Sequence, residues 1–240
     1  MNIEEFRKAK KELLSLNEKL SEIEAEKLVE LQHDTSNQNT TNGILDWYNK
    51  LLNNLETSID IVNIDECKDW EADENLNLKH SSGSFFQVKG VRASMSTSRE
   101  VGSSGWDQPI LIEKNFDGGI LGLVRSYING TPHYLIEAKF EPGNYNLLQL
   151  SPTLQATFSN IEKAHGGKSP NYLDYFLDYQ ENKKDYIFNQ WMSEDGGRLF
   201  NKRNRGLVKN VEYNDIVKIP DNFTWVSLFQ IKEIMKNQPI

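Results

Sequence analysis

Two periodicities of apolar residues divide this chain into a helical start and a strand-rich remainder. Between residues 2 and 32, apolar side chains recur at three-, four- and seven-residue steps, with Glu and Lys between them and no Gly or Pro. This spacing predicts one amphipathic helix that packs on the rest of the protein or on a second subunit. The polar residues 33–43 predict a linker, and residues 44–55 return to helical spacing.

After residue 79 the pattern changes to short apolar runs, which Gly, Pro and Asn separate. These runs predict strands at residues 84–93, 118–127, 131–140, 147–150, 154–158, 186–192 and 207–213. Asn129-Gly130 predicts a two-residue hairpin turn. Residues 69–78 predict an irregular segment, and residues 224–236 predict a helix. Short strands joined by turns and flanked by helices favour an α+β fold with a mixed or antiparallel sheet.

Composition and charge exclude several classes of protein. The 240 residues carry a formal charge of −8 with a sequence pI near 5.2, a balance that argues against nucleic-acid binding. No apolar run approaches the roughly 18 residues of a membrane span, and the first residues lack the apolar centre of a signal peptide. Cys67 is the only cysteine, so we expect no internal disulfide and a reducing, cytoplasmic location.

Familiar cofactor and nucleophile motifs are absent from the sequence. It contains no GxGxxG or GxxxxGKS/T loop, so neither a dinucleotide site nor a P-loop is predicted. It also lacks a GxSxG elbow, an HExxH helix and paired CxxC motifs. The four histidines are His33, His80, His133 and His165. They are far apart in sequence and do not have the spacing of metal ligands. No metal site is therefore predicted.

The segment 133–141 concentrates chemically useful side chains on one face of a predicted strand. Alternation places Tyr134, Ile136, Ala138 and Phe140 on an apolar face. The opposite face carries His133, Leu135, Glu137, Lys139 and Glu141. This second face is either a solvated surface with cross-strand salt bridges or the wall of a polar pocket that holds a general acid and a general base.

Two further segments have candidate binding chemistry. Residues 198–209 hold five cations and no acid after Gly196-Gly197, which is typical of either a diphosphate site or a solvated basic hairpin. Trp106 and Gln108 follow a segment rich in Ser and Gly. They could stack on a nucleotide base and contact its edge, or Trp106 could simply belong to the core.

Five segments together resemble the NDP-hexose 2,3-dehydratases of deoxysugar biosynthesis. They are REVGSSGWDQPI (99–110), LVRSYINGTPHYLIEAKFEPGNYN (123–146), LSPTLQATFSN (150–160), SEDGGRLF (193–200) and DNFTWVSLFQIKEIM (221–235). The resemblance covers about residues 68–238. It divides the chain into an N-terminal helical extension, residues 1–65, and a dehydratase domain, residues 66–240.

The resemblance implies a fold, a reaction and an assembly. Members of this family have a Nudix-like fold and act without a metal or a redox cofactor on an NDP-4-keto-6-deoxyhexose, typically linked to dTDP. They remove water across carbons 2 and 3. Members usually carry two tandem copies of the domain, whereas this chain carries one. A homodimer could supply both copies, or the single copy could bind without turnover.

Roles for individual residues follow from their chemistry within the matched segments. We expect acid and base work from Glu137, Glu141 and His133, and stabilisation of an enolate by Lys139. Contacts to the diphosphate are expected from Arg125, Arg198, Arg203 and Arg205, and contacts to the base from Trp106 and Gln108. Alternatives to the enzyme are a non-catalytic subunit that binds dTDP-sugars, or an interaction protein that assembles through its N-terminal helix.

Overall fold

Helices at both ends of the chain surround two β-sheets. The computed structural model describes residues 1–94, 105–113, 118–163 and 166–237. The described helices are α1 (Ile3–Leu16), α2 (Glu22–Gln32), α3 (Thr41–Asn53), α4 (Phe158–Ile161) and α5 (Leu228–Asn237). The described strands are β1 (Trp70–Ala72), β2 (Leu78–His80), β3 (Gln87–Ala93), β4 (Trp106–Ile112), β5 (Gly118–Ile128), β6 (Thr131–Phe140), β7 (Leu148–Pro152), β8 (Leu154–Thr157), β9 (Tyr186–Ser193), β10 (Arg203–Asn210) and β11 (Phe223–Val226). The predicted α+β class is confirmed.

The larger sheet is mixed, as the sequence predicts. Its order is β11-β6-β5-β10-β9, with β7 paired to β6 and β8 paired to β5. Only the pairing of β5 with β10 is parallel among the described strands. A second, antiparallel sheet has the order β1-β2-β3-β4. The two sheets meet where the backbone N–H of Leu111 donates to Arg198 O (2.9 Å) and that of Phe200 donates to Leu111 O (2.9 Å).

The hairpin predicted at Asn129-Gly130 joins β5 to β6. Both residues have positive φ, 51° for Asn129 and 83° for Gly130, as the turn that matches strand twist requires. A Cβ added to Gly130 would lie 1.9 Å from Cδ1 of Ile3. Glycine at this position therefore serves the turn and also the packing of α1 against it.

The prediction of a single helix over residues 2–32 is wrong, because the first helix ends at Leu16 and a second one begins at Glu22. Ser21 begins the second helix with a capping box. Its hydroxyl accepts from the Glu24 N–H (3.3 Å), and the Glu24 carboxylate accepts from the Ser21 N–H (2.9 Å). A Ser-x-x-Glu capping box marks the start of a helix, even where the spacing of apolar residues continues across it.

The segment predicted as a linker, residues 33–43, is bound to the fold. Thr35 is fully buried. Asp34 accepts hydrogen bonds from the Ser227 hydroxyl (2.7 Å) and from the Gln230 amide (3.3 Å). The segment is therefore attached to the start of α5, and α3 already begins at Thr41.

Helix α3 packs on the larger sheet rather than standing apart from it. Ile44 and Tyr48 are buried, and the Tyr48 hydroxyl donates to Leu148 O (2.6 Å). The predicted boundary at residue 65 would place α3 in the N-terminal extension. In the structure, α3 shares a core with the strands of the larger sheet.

The end of the chain also differs from its prediction. Residues 223–226 form β11, which pairs with β6, and the helix begins only at Leu228. Ser227 and Gln230 form the cap, since the Ser227 N–H donates to the Gln230 side chain (3.0 Å) and the Gln230 N–H donates to the Ser227 hydroxyl (3.2 Å). The sequence pattern also misses β1, β2 and β4, and it places β10 several residues too late.

Strand β6 is buried on both faces over its first half. Leu135 belongs to a core cluster with Val124, Leu207 and Trp225 on one side. Tyr134 and Ile136 belong to a second cluster, beneath α3 and α5, on the other. The polar face predicted for residues 133–141 therefore begins only at Glu137, where the core ends.

Candidate functional site

Two neighbouring cavities open where β6 leaves the core. The first, which we call the Glu137 cavity, has a volume of about 380 Å³ and is lined by Glu137, Lys139, Thr153, Leu154, Gln155, Lys168, Ser169, Pro170, Asn171 and Phe223. The second, the Lys202 cavity, has a volume of about 210 Å³ and contains Glu141, Glu194, Lys202 and Asn204 in its wall. Lys139 and Gln155 line both cavities. Three of the four predicted catalytic residues, Glu137, Lys139 and Glu141, are thus brought together.

Glu137 lies at the boundary between the core and the first cavity. The Asn222 amide donates to its Oε1 (3.1 Å). Burial raises the pKa of Glu137, and the nearby Lys139 ammonium opposes that shift. A carboxyl group that is partly desolvated and held by one neutral donor is suited to accept and return a proton.

Lys139 and Glu141 form a pair at the junction of the two cavities. The Lys139 ammonium lies 3.2 Å from Glu141 Oε1 and donates to Gln155 O (3.3 Å). The Gln155 amide donates to Glu141 Oε1 (3.4 Å). This arrangement places one cation and one carboxylate, both partly exposed, beside Glu137.

A buried ion pair forms the base of the second cavity. Lys202 donates to Glu113, and its ammonium also contacts Gly118 O (3.2 Å) and lies 5.2 Å from the centre of the Phe86 ring. The Ser159 hydroxyl donates to Glu113 Oε1 (2.8 Å). Asn204 donates to Glu194 in the same wall. Sequence reasoning missed the roles of Glu113, Glu194 and Asn204, because their partners are distant in sequence or lack any motif.

His133 does not share the cavity with Glu137. Its side chain is fully buried, its Nδ1 lies 3.0 Å from Thr131 O, and its Nε2 accepts from the Asn37 N–H (3.2 Å). Burial lowers the pKa of His133. A neutral imidazole with both nitrogens engaged by backbone groups fastens segment 33–40 to β6, and this placement does not support the acid–base role expected for it.

Arg125 is likewise in the core and not at the surface of a binding site. Its Nη2 lies 2.8 Å from Glu26 Oε2 and 2.8 Å from Glu30 Oε1, and its Nη1 donates to Asn210 Oδ1 (3.0 Å). The Tyr134 hydroxyl donates to Glu30 Oε2 (2.6 Å). Arg125 therefore attaches α2 to the sheet. This buried position contradicts the expectation that Arg125 holds a diphosphate.

The other three candidate diphosphate ligands line neither cavity. Arg198 is 80% exposed and pairs with Asp195 (2.7 Å). Arg203 and Arg205 lie over the Trp191 ring, with guanidinium carbons 4.3 Å and 5.3 Å from its centre. Arg205 also donates to Asn189 Oδ1 (2.5 Å). Arg203 and Arg205 thus belong to a cation–π cluster on β9 and β10.

Trp106 and Gln108 lie on β4, in the smaller sheet, and are absent from the walls of both cavities. The Trp106 indole N–H donates to Gln108 Oε1 (3.0 Å), and the Gln108 amide donates to Gly197 O (2.7 Å). Gln108 thereby links the two sheets. The segment rich in Ser and Gly before Trp106 falls largely on residues 95–104, outside the described residues.

The described ranges contain no group of three or more His, Cys, Asp or Glu side chains that could hold a metal ion. His165, one of the four histidines considered above, lies outside those ranges. No helix in the described part of the chain is long and apolar enough to cross a membrane.

Comparison with known proteins identifies the family. The sequence model of the family described as NDP-hexose 2,3-dehydratase matches residues 41–240. This chain belongs to that family. Two relatives named dTDP-4-dehydro-6-deoxy-α-D-glucopyranose 2,3-dehydratase illustrate the similarity. That of Saccharopolyspora spinosa is 36% identical over 78% of this chain, and that of Amycolatopsis orientalis is 39% identical over 69% of it.

The chain spans little more than a third of the length of these relatives, since the alignments cover 37% and 34% of them. The crystal structure of an Ap4A hydrolase of C. elegans aligns with a TM-score of 0.28 and 12% identity, over 50% of this chain and 84% of that chain. A similarity this low assigns no fold family, so the Nudix-like character of the dehydratase domain stays a prediction.

Proposed function

We propose that this chain is a hydro-lyase that removes water across carbons 2 and 3 of an NDP-4-keto-6-deoxyhexose, with dTDP as the nucleotide. Membership of the family supports the reaction, and the names of the relatives support dTDP. The observation that carries the proposal is the meeting of Glu137, Lys139 and Glu141 around two adjoining cavities. A proton acceptor, a cation and a second carboxyl group are the groups that this elimination needs.

The ketone at carbon 4 makes the hydrogen on carbon 3 acidic. In the proposed mechanism Glu137 removes that proton, and the electron pair of the broken C–H bond moves into an enolate between carbons 3 and 4. The Lys139 ammonium stabilises the enolate oxygen, as preorganised positive charge does for developing anions. The enolate then expels the hydroxyl on carbon 2.

The leaving hydroxyl takes a proton and departs as water. Glu141 is the proposed donor of this proton. The product is an enol with a double bond between carbons 2 and 3, and it tautomerises to the 3,4-diketo-2,6-dideoxy sugar when carbon 2 gains a proton and the enol oxygen loses one. Atoms balance as one substrate giving one product and one water, and no change of oxidation state is required of any cofactor.

The test is turnover of dTDP-4-keto-6-deoxyglucose, followed by mass spectrometry for the loss of water. We expect Glu137→Gln and Glu141→Gln to lower kcat by about 10²- to 10⁴-fold, the usual contribution of a positioned acid or base. The exposed Glu212 provides a matched control, because Glu212→Gln makes the same chemical change away from both cavities. Full turnover by both cavity variants would refute the carboxylate mechanism. Absence of turnover by the unaltered protein would refute the proposal that this chain is an enzyme.

We propose a second copy of this chain as the partner, and the cytoplasm as the location. Supporting the dimer, four apolar side chains are exposed on the segment between α3 and β1, at Ile59, Ile61, Val62 and Ile64. Self-association through this segment would remove them from water. Sedimentation should then report a dimer that Ile61→Asp dissociates, whereas a monomer at all concentrations would contradict the assembly.

A further inference from the structure

The segment from Gly166 to Tyr172, which we call the arm, contributes Lys168, Ser169, Pro170 and Asn171 to one wall of the Glu137 cavity. Tyr172 anchors its far end: the hydroxyl donates to Lys218 O (3.1 Å), and the ring meets Phe223 edge-on at 5.0 Å. Tyr172 itself has a positive φ of 61°, a conformation that a bulky residue keeps only when its surroundings hold it. The arm is therefore fixed in place where it joins the cavity.

Three side chains of this arm line the cavity and have no bonding partner among the described residues. Lys168, Ser169 and Asn171 make no hydrogen bond or ion pair with any residue in the part of the chain that the structure describes. The two other cations of the adjoining cavities are engaged, Lys139 by Glu141 and Lys202 by Glu113. An ammonium, a hydroxyl and an amide thus present uncommitted donors within a short stretch of backbone.

We propose that this arm binds the diphosphate of the nucleotide sugar, with Lys168 as its charged ligand. The inference rests on the proposed function, and it replaces the basic stretch 198–209 as the predicted diphosphate site. Lysine is suited to contact phosphate as a compact point charge, and hydroxyl and amide groups supply further donors. Gly166, at the start of the arm, has a φ of +67°, a conformation that glycine adopts without strain.

The position of the arm fits the chemistry of the neighbouring wall. In an NDP-hexose the diphosphate is attached to carbon 1, which is bonded to carbon 2, the nearer of the two carbons that react. A ligand held by Lys168 in the same cavity as Glu137 would therefore place carbons 2 and 3 within the reach of that carboxyl group. The arginines of the basic stretch lie outside the walls of both cavities and offer no such proximity.

The experiment is calorimetric titration of the 240-residue chain with dTDP and, separately, with thymidine, which lacks the phosphates. We expect Lys168→Ala to weaken dTDP binding about tenfold or more, as loss of a charge-assisted contact does, and to leave thymidine binding unchanged. The matched controls are Lys184→Ala, an exposed lysine on another segment, and Arg198→Ala in the basic stretch. Both should bind dTDP like the unaltered protein.

Each outcome decides between the inferences. Lys168→Ala with unchanged dTDP affinity would overturn the arm as the diphosphate site, while the unaltered protein's turnover would leave the proposed function intact. Loss of dTDP affinity in Arg198→Ala alone would return the site to the basic stretch. If the unaltered protein bound neither dTDP nor thymidine, the proposed substrate class itself would fail. Circular dichroism of Lys168→Ala checks that the exposed substitution leaves the fold unchanged.

Discussion

Removal of Arg125 is the perturbation from which we expect the largest loss of stability. Glu30 is fully buried, and Arg125 Nη2 lies 2.8 Å from its Oε1. Burial raises the pKa of Glu30, and the guanidinium works against that shift. In Arg125→Ala, the carboxylate would remain in the core without its cation, which typically costs about 3–5 kcal/mol. A domain of ordinary stability has only about 5–15 kcal/mol in total.

The assay is urea unfolding followed by tryptophan fluorescence at pH 7. A cycle of Arg125→Met, Glu30→Gln and the double variant gives the coupling between the two charges. The double variant removes both charges, so it should recover part of the loss seen in Arg125→Met alone. Asp195→Ala, which breaks the exposed pair with Arg198, is the control and should not shift the unfolding midpoint measurably. If Arg125→Ala lost less than about 1 kcal/mol, the value typical of an exposed pair, the assignment of Arg125 as a structural residue would be refuted.

Three further predictions concern the hairpin, acid stability and catalysis. Gly130→Ala should destabilise the protein by about 1–3 kcal/mol, because the new Cβ would lie 1.9 Å from α1, whereas Gly143→Ala, with open space around it, should leave the urea midpoint unchanged. Burial opposes the ionised form of Asp178, but Lys209 and other hydrogen-bond donors lower its pKa from 3.8 to about 2. The stability it contributes is therefore complete above the unfolded pKa and lost as pH falls toward the folded one, so Asp178→Asn should flatten acid unfolding curves below about pH 4. Because burial raises the pKa of Glu137 above its ordinary value of 4.5, kcat/KM should fall with decreasing pH through an apparent pKa above that value, and a lower one would contradict its role as the base.

The sequence pattern predicted the features that depend on neighbouring residues. The hairpin at Asn129-Gly130 is confirmed because its backbone conformation is a local property of those two residues. Alternation along β6 correctly grouped Glu137, Lys139 and Glu141, since side chains on one face of a strand stay together wherever the strand packs. Their catalytic roles stay predictions.

Features that depend on distant partners could not be predicted in this way. His133 lies on the same face of β6 as Glu137. The first half of β6 is covered on both faces, so His133 is buried in the core, whereas Glu137 lines a cavity. Arg125 could be recognised as a core residue only from the packing of α2, whose Glu26 and Glu30 occur about a hundred residues earlier. Helical spacing in residues 224–236 concealed β11, because four residues are too few to establish a period of two.

The attachment of Asp34 to Ser227 and Gln230 has a consequence for the order of folding. The side chains of Asp34 and Ser227 are separated by 193 positions in sequence, and closing so long a loop is slow compared with forming the hairpin of β5 and β6. During synthesis, α2 and the segment after it can dock once β5 and β6 supply Arg125 and His133, whereas Asp34 gains its side-chain partners from α5 only when Ser227 and Gln230 have emerged. We therefore expect the contacts of Asp34 to form last, and a nascent chain stalled before residue 220 to be cut by protease near Asp34 more readily than the 240-residue chain.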